Sequence, residues 1–272
     1  MNHFTVCFIS RNLLRLFGII MIVFMIVPLL AVVPISFTPA RFLSMPKGTL
    51  SLVHYRALIE DPAWMSGFLL SLRIGIVSSV IATALATAFS LGIWMARPRF
   101  TAVLVGFVLL PMIVPPVVSA MTLYFLLTSL SQLSSTVGYD TWLGVVLAHV
   151  VMIVPFAVVM ILVALAGVDR RIDLAARGFG ASVARRAFHV ILPNIKFGIL
   201  TALLLTFVMS WEEIGVTLFV TSVDAITLPR LMWMGVRDNI DPAVAALSVV
   251  LIAFTALLLL GRMLFERTDP SA

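Results

Sequence analysis

Six long apolar runs constrain this chain more than any other feature. They lie at residues 13–37, 69–96, 101–127, 142–167, 197–220 and 243–265, and none holds more than two charged side chains. A bilayer core about 30 Å thick is crossed by roughly 20 apolar residues of helix, so each run is long enough to span it. In lipid every backbone polar group needs an internal partner, which leaves helices or closed barrels. The runs are continuous rather than alternating, so barrel strands are excluded. The expected fold is all-α: a polytopic membrane protein with six transmembrane helices, forming one transmembrane domain over 1–272.

Composition agrees. Only 11% of the residues are charged and 62% are hydrophobic, whereas a soluble domain carries about 25% charged residues. One cysteine, Cys7, excludes an internal disulfide framework and a Cys-rich metal site. The net charge of +6 is read as loop orientation, not as nucleic-acid binding. The first run exceeds a signal-peptide core and is read as a retained helix.

With the N-terminus inside, Arg11, Arg15, Arg97, Arg99, Arg170, Arg171, Arg177, Arg185, Arg186, Lys196, Arg262 and Arg267 fall on the cytoplasmic side. Arg41, Lys47, Arg56, Arg73, Arg230 and Arg237 fall outside. The positive-inside rule therefore places both termini in the cytoplasm. Prolines interrupt several runs: Pro28 and Pro34, then Pro111, Pro115 and Pro116, then Pro155. Each removes a helix hydrogen bond. The cluster at 111–116 reads equally well as a pathway kink or as ordinary packing; Pro155 reads as packing.

The segment 168–196 differs from the rest, being basic and patterned. Ile172, Ala175, Ala176 and Phe179 recur at one-face helical spacing. Asp169 can cap the helix and Asp173 can pair with Arg177. Gly178, Gly180 and Ser182 supply a break. A second helix then shows Val183, Ala187, Val190 and Ile191 on one side, with Pro193 as its end. Such a knob could lie on anionic lipid or dock a partner.

The spacing of Ala175-Ala176, Gly180 and Leu192-Pro193 resembles the loop signature of binding-protein-dependent ABC importer permeases. Leu174 stands where that family usually has Glu, and Val190 where it often has Ile. Further along, His149 through Pro155-Phe156, Ser210-Trp211-Glu212-Glu213, Phe219-Val220-Thr221, Leu228-Pro229 and Asp241-Pro242-Ala243-Val244 are similar in order to the polyamine (spermidine/putrescine) branch. The resemblance implies that Asp173, Leu174, Ala175, Ala176, Gly180, Ala181, Ser182, Leu192 and Pro193 couple the chain to an ATPase. It implies a cytoplasmic ABC ATPase dimer, a second permease chain (a paralogue rather than an identical copy) and a periplasmic or lipid-anchored substrate-binding protein as partners. The location implied is the inner membrane, with lipid around the spans.

Glu212 and Glu213 are the acidic residues within a predicted span, where a charge at the centre costs about 2.5–3.5 kcal/mol on insertion scales. With Ser210 and Trp211 they are read as lining a cation pathway; the plainer alternative is a buried acid paired to Arg73 or another helix, or one that reaches the outer interface. Trp211 also suits an interfacial belt, and His149 a buried interhelical hydrogen bond. The Walker A pattern is absent, so the chain is not read as an enzyme and no catalytic residue, cofactor or metal is expected. A secondary transporter is the rival function, but it would want intramembrane ion sites and inverted repeats, and neither stands out. An intramembrane enzyme would need a nucleophile with its base or metal ligands.

Overall fold

In a computed structural model of the chain, residues 3–239 and 241–267 are described; the side chains of Cys7, Arg11, Arg262 and Arg267 lie outside the described residues. The described residues form helices and turns with no strand. Two compact units are present, Met1–Met65 with Met232–Ala272, and Ser66–Leu231.

The first unit holds α1 (His3–Ser36), the short α2 (Val53–Glu60) and α13 (Ala243–Arg267). Helix α1 and α2 both touch α13. Where α1 ends, Ser36 Oγ lies 2.7 Å from Tyr55 Oη, and the Phe37 and Tyr55 rings stack at 5.3 Å. From Leu13 to Leu30 the apolar side chains of α1 stay exposed, as a helix solvated by hydrocarbon requires.

The second unit begins within α3 (Pro62–Ala96) and continues with α4 (Thr101–Ile113), α5 (Pro116–Ser131), α6 (Trp142–Ala166), α7 (Arg170–Gly178), α8 (Val183–Arg186), α9 (Leu192–Asn194), α10 (Lys196–Trp211) and α11 (Thr217–Val220), reaching into α12 (Leu228–Met234). Its centre is α6. Thr141 caps it by accepting from Gly144 N at 3.0 Å, and Pro155 does not interrupt it. Val145, Ala148, Ala157, Val158, Ile161 and Leu165 are fully buried along it. Lipid tails are as apolar as the helices, so close packing rather than hydrophobicity holds helices together, and small residues at the seams permit it. Ala82 and Ala86 of α3 and Ala202 of α10 are fully buried in this way. Thr83 and Thr206 meet at 3.2 Å across α3 and α10.

Each predicted run is met by helix, but not always as one rod. Among the described residues, only α1, α3 and α6 are long and apolar enough to cross unbroken, and the described apolar stretch of α13 is Ala243–Ala253. The run 101–127 is broken into α4 and α5 at an angle of 99°. The cause is local. Pro115 disfavours helical geometry at Val114, and Pro116 does the same at Pro115. Both residues are accordingly extended, with ψ of 134°. Pro111, one turn earlier, lies inside α4 without ending it.

The run 197–220 also departs from expectation. Helix α10 stops at Trp211, and the chain turns before α11. At 16 residues, α10 is about 24 Å long, shorter than a full span. At its other end it is bent by 73° from the segment Val183–Asn194. Pro193 does not end the preceding helix, as its sequence position predicts. A wide turn over Ala187–Ile191 carries the chain past it, with Leu192 N donating to Ala187 O, so the missing proline N–H is accommodated.

Candidate functional site

Two polar constructions stand out in the second unit, one at the α7–α8 pair and one where α10 breaks.

Helix α7 opens with Asp169 accepting from Arg171 N at 2.8 Å. It closes on Gly180, whose φ of +76° is left-handed. Gly180 N donates to Arg177 O at 2.9 Å and Ala181 N to Ala176 O at 3.0 Å. That pair of bonds is the Schellman closure, and it requires a residue free of a Cβ penalty at Gly180. Ser182 then caps α8, accepting from Arg185 N at 3.4 Å. The two glycine-linked helices are therefore set by short-range rules.

What holds them together is not short-range. Asp173 is 6% exposed. Arg186, equally buried, donates from Nε to Asp173 Oδ1 at 2.7 Å and from Nη2 to Oδ2 at 3.1 Å. Arg177 Nε adds a bond to Oδ2 at 3.1 Å, as the i+4 spacing predicts. The Arg186 partner was not legible in the sequence, because four other arginines lie within the same segment.

The apolar face points the other way. Phe179 is 92% exposed and Leu174 61%, and Ile172, Ala175 and Val183 are exposed with them, while Ala176 is half-buried. On the opposite side Ile191 and Ile195 bury against Trp94, Ile161, Leu165 and Ala202, with Leu192 packed beside them and Pro193 exposed. Arg170 lies over the Trp94 ring at 4.9 Å. One face is thus bonded to the membrane helices, and the other is uncovered.

At the second site, His149 of α6 is fully buried and bridges two elements. Its Nδ1 is 2.8 Å from Ser210 Oγ and its Nε2 is 3.0 Å from Thr217 Oγ1. Thr217 spends its own proton on Glu213 O at 2.8 Å. In the neutral ring Nε2–H therefore donates to Thr217, and Ser210 donates to Nδ1. The bridge ties α10 to α11 across their break.

Glu212 and Glu213 do not sit inside a helical span. Glu212 caps the end of α10 and is exposed; Glu213 Oε1 accepts from Val216 N at 2.9 Å, starting α11. Breaking the helix at the pair gives the Glu213 carboxylate a backbone N–H partner, which a continuous apolar span would deny it. Arg73 pairs with neither: its guanidinium lies 3.6 Å from the centre of the Trp142 ring. Trp211 packs edge-on to Phe68 at 5.6 Å. Ser71, His149, Ser210, Trp211, Glu213 and Thr227 line a crevice too tight for water. Among the described residues no group of three His, Cys, Asp or Glu side chains is placed to hold a metal.

Asp140 is a residue that sequence reading passed over. It lies in the loop before α6 with φ +57°. Its carboxylate accepts from four consecutive or near-consecutive backbone N–H groups: Ser222 and Ala225 on Oδ1 at 2.7 and 3.1 Å, Val223 and Asp224 on Oδ2 at 2.7 and 3.0 Å. Burial raises its pKa, but the four amides outweigh this and hold it below the usual 3.8. A depressed carboxylate stabilises above its unfolded value and loses that contribution as pH falls through the folded one. The 221–225 loop is therefore expected to be intact at neutral pH and to loosen below about pH 4. Asp140→Asn keeps one acceptor oxygen and replaces the other with an NH2 donor that faces two N–H donors. Amide exchange at 222–225 is expected to quicken about tenfold at pH 7, from a loss of roughly 1–2 kcal/mol; unchanged exchange would remove Asp140 as the organiser.

The chain is similar to known proteins along most of its length. Residues 88–269 match the family described as "Binding-protein-dependent transport system inner membrane component". A protein of Haloferax volcanii named "Probable molybdenum ABC transporter permease protein" is 37% identical over 192 residues, covering 68% of this chain and 71% of that one. The putrescine transport system permease protein PotI of Escherichia coli is 29% identical over 230 residues, 84% of this chain and 82% of its own. A crystal structure of a bacterial ABC transporter involved in the import of the acidic polysaccharide alginate shares the fold at TM-score 0.72 and 12% identity, covering 98% of both chains. A helical, apolar chain whose match to the family runs through the α7–α8 loop and the α10 break belongs to the inner-membrane components of binding-protein-dependent transport systems, the permease subunits of ABC importers.

Proposed function

We propose that this chain forms half of a translocation pathway and that its α7–α8 pair docks on a separate cytoplasmic ATPase dimer. A second permease chain completes the pathway, and a periplasmic or lipid-anchored binding protein delivers the cargo. Both termini lie in the cytoplasm. The observation that carries this reading is the two-faced construction of the pair: Phe179, Leu174 and Ile172 uncovered, and Ile191 and Ile195 bonded into the same core as Trp94 and Ile161. A push on the outer face is thereby delivered to α3, α6 and α10. The chain contributes alternating access, and no bond chemistry.

Copurification of the tagged chain with its ATPase subunit tests the docking. Phe179 touches little in the chain itself, so Phe179→Asp is expected to leave folding intact and to reduce ATPase retention about tenfold or more, as for an interface anchor worth over about 1.4 kcal/mol. Gly180→Trp is expected to remove retention as well, through the left-handed turn. Full retention in both variants would sink the docking assignment.

For the cargo we propose a small cation of the polyamine kind. Support comes from exposed Glu212 beside Trp211 at the helix break and from the likeness to PotI along most of the chain. The likeness to the molybdenum permease, together with the engagement of Glu213 as a cap, supports molybdenum as the second reading. Uptake of labelled putrescine against labelled molybdate, by cells carrying the whole importer, separates the two.

A further inference from the structure

A cavity of about 430 Å³ opens where α3 and α6 end and α4 begins. Ile93, Leu162 and Leu165 form an apolar floor, and Arg97, Thr101 and Arg170 stand around it. No acidic residue lines it. The nearest carboxylate in sequence, Asp169, is engaged on the Arg171 amide at 2.8 Å. Arg97 is exposed and carries a left-handed φ of +48° ahead of Pro98. Arg170 is exposed as well, and it is held at the rim by the Trp94 ring at 4.9 Å. A pocket of this volume suits a small amphiphile, with a dry floor for hydrocarbon and two forked guanidiniums for a phosphate oxygen pair.

We propose that this cavity is a binding site for an anionic phospholipid. The headgroup phosphate meets Arg97 and Arg170, and the first acyl carbons lie on Ile93, Leu162 and Leu165. The assignment rests on the orientation given above, which puts this end of the spans at the cytoplasmic leaflet, where anionic lipid is attracted to basic residues. Arg170 is the first residue of α7, so an occupied site fixes the base of the docking pair.

The test uses the full chain within its importer complex, purified in mild detergent with equal phosphatidylglycerol and phosphatidylcholine, and native mass spectrometry of the retained lipid. Wild type is expected to retain phosphatidylglycerol preferentially. Arg97→Gln with Arg170→Gln is expected to lower that preference about twenty-five-fold, at about fivefold per guanidinium near an anionic surface. The double Lys variant, which keeps both charges, is expected to keep most of it and controls for folding. Equal retention of the two lipids, or an unchanged preference in the Gln variant, overturns the site. Displacement of the lipid by millimolar inorganic phosphate overturns the lipid assignment in favour of a free-anion site. If the wild-type complex lacks the ATPase and still holds phosphatidylglycerol through these arginines, the docking reading fails and this one stands.

Discussion

Asp173→Ala is expected to destabilise the α7–α8 pair by about 3–5 kcal/mol, the range for removing one partner of a buried ion pair. Arg186 would keep its buried position with neither carboxylate oxygen to receive Nε and Nη2. Arg177, a second guanidinium that itself donates to Asp173, has no acceptor to offer in its place. Hydrogen exchange across 170–186 is the direct measurement, and ATP-driven uptake the functional one. Exchange is expected to rise more than a hundredfold, and uptake to be lost while the chain still inserts. A paired Asp173→Leu and Arg186→Met exchange is expected to recover much of the protection, because the burden lies in the unpaired charge and not in the loss of the pair. If Asp173→Ala leaves exchange as in wild type, the clamp is not what joins the two helices. If only Arg177→Ala has an effect, the tie runs within α7 and not between helices.

His149→Ala is expected to have an effect of comparable size. Two consequences add: a cavity in a fully buried site, and a buried Ser210 hydroxyl left without its acceptor, while Thr217 loses a donor but keeps its bond to Glu213 O. Large-to-small changes in cores cost about 2–5 kcal/mol, and an orphaned buried group about 1–3 kcal/mol. His149→Phe fills the volume and removes only the bonds, so its smaller loss measures the bridge alone. Because the bridge joins α10 to α11 across their break, uptake is expected to fall in both variants while ATPase retention stays normal. That split distinguishes the bridge from the docking pair. Ser210→Ala with Thr217→Val, made in the presence of His149, should reproduce the Phe result if the bridge is what matters; normal uptake in that variant would exclude it.

Much of this molecule could be read without a structure, and the readable part shares one property. Apolar runs become helices because hydrocarbon leaves the backbone only its own carbonyls as partners, a decision made within about four residues. Pro115-Pro116 breaks a helix, Gly180 closes one and Asp169 starts one for equally local reasons. The order of these features along the chain was enough for the family. Tertiary structure decided the rest. Asp173 meets Arg186 thirteen residues away, and not only Arg177 one turn on. His149 meets Ser210 and Thr217 sixty-one and sixty-eight residues on, and Asp140 gathers the amides of 222–225. Each of these pairs a polar group with the partner that chain closure happens to bring within 3 Å or so. A charge or hydroxyl in a sequence states that a partner is needed, because burial without one is costly; which partner it finds depends on how the helices pack, and local spacing carries no record of that.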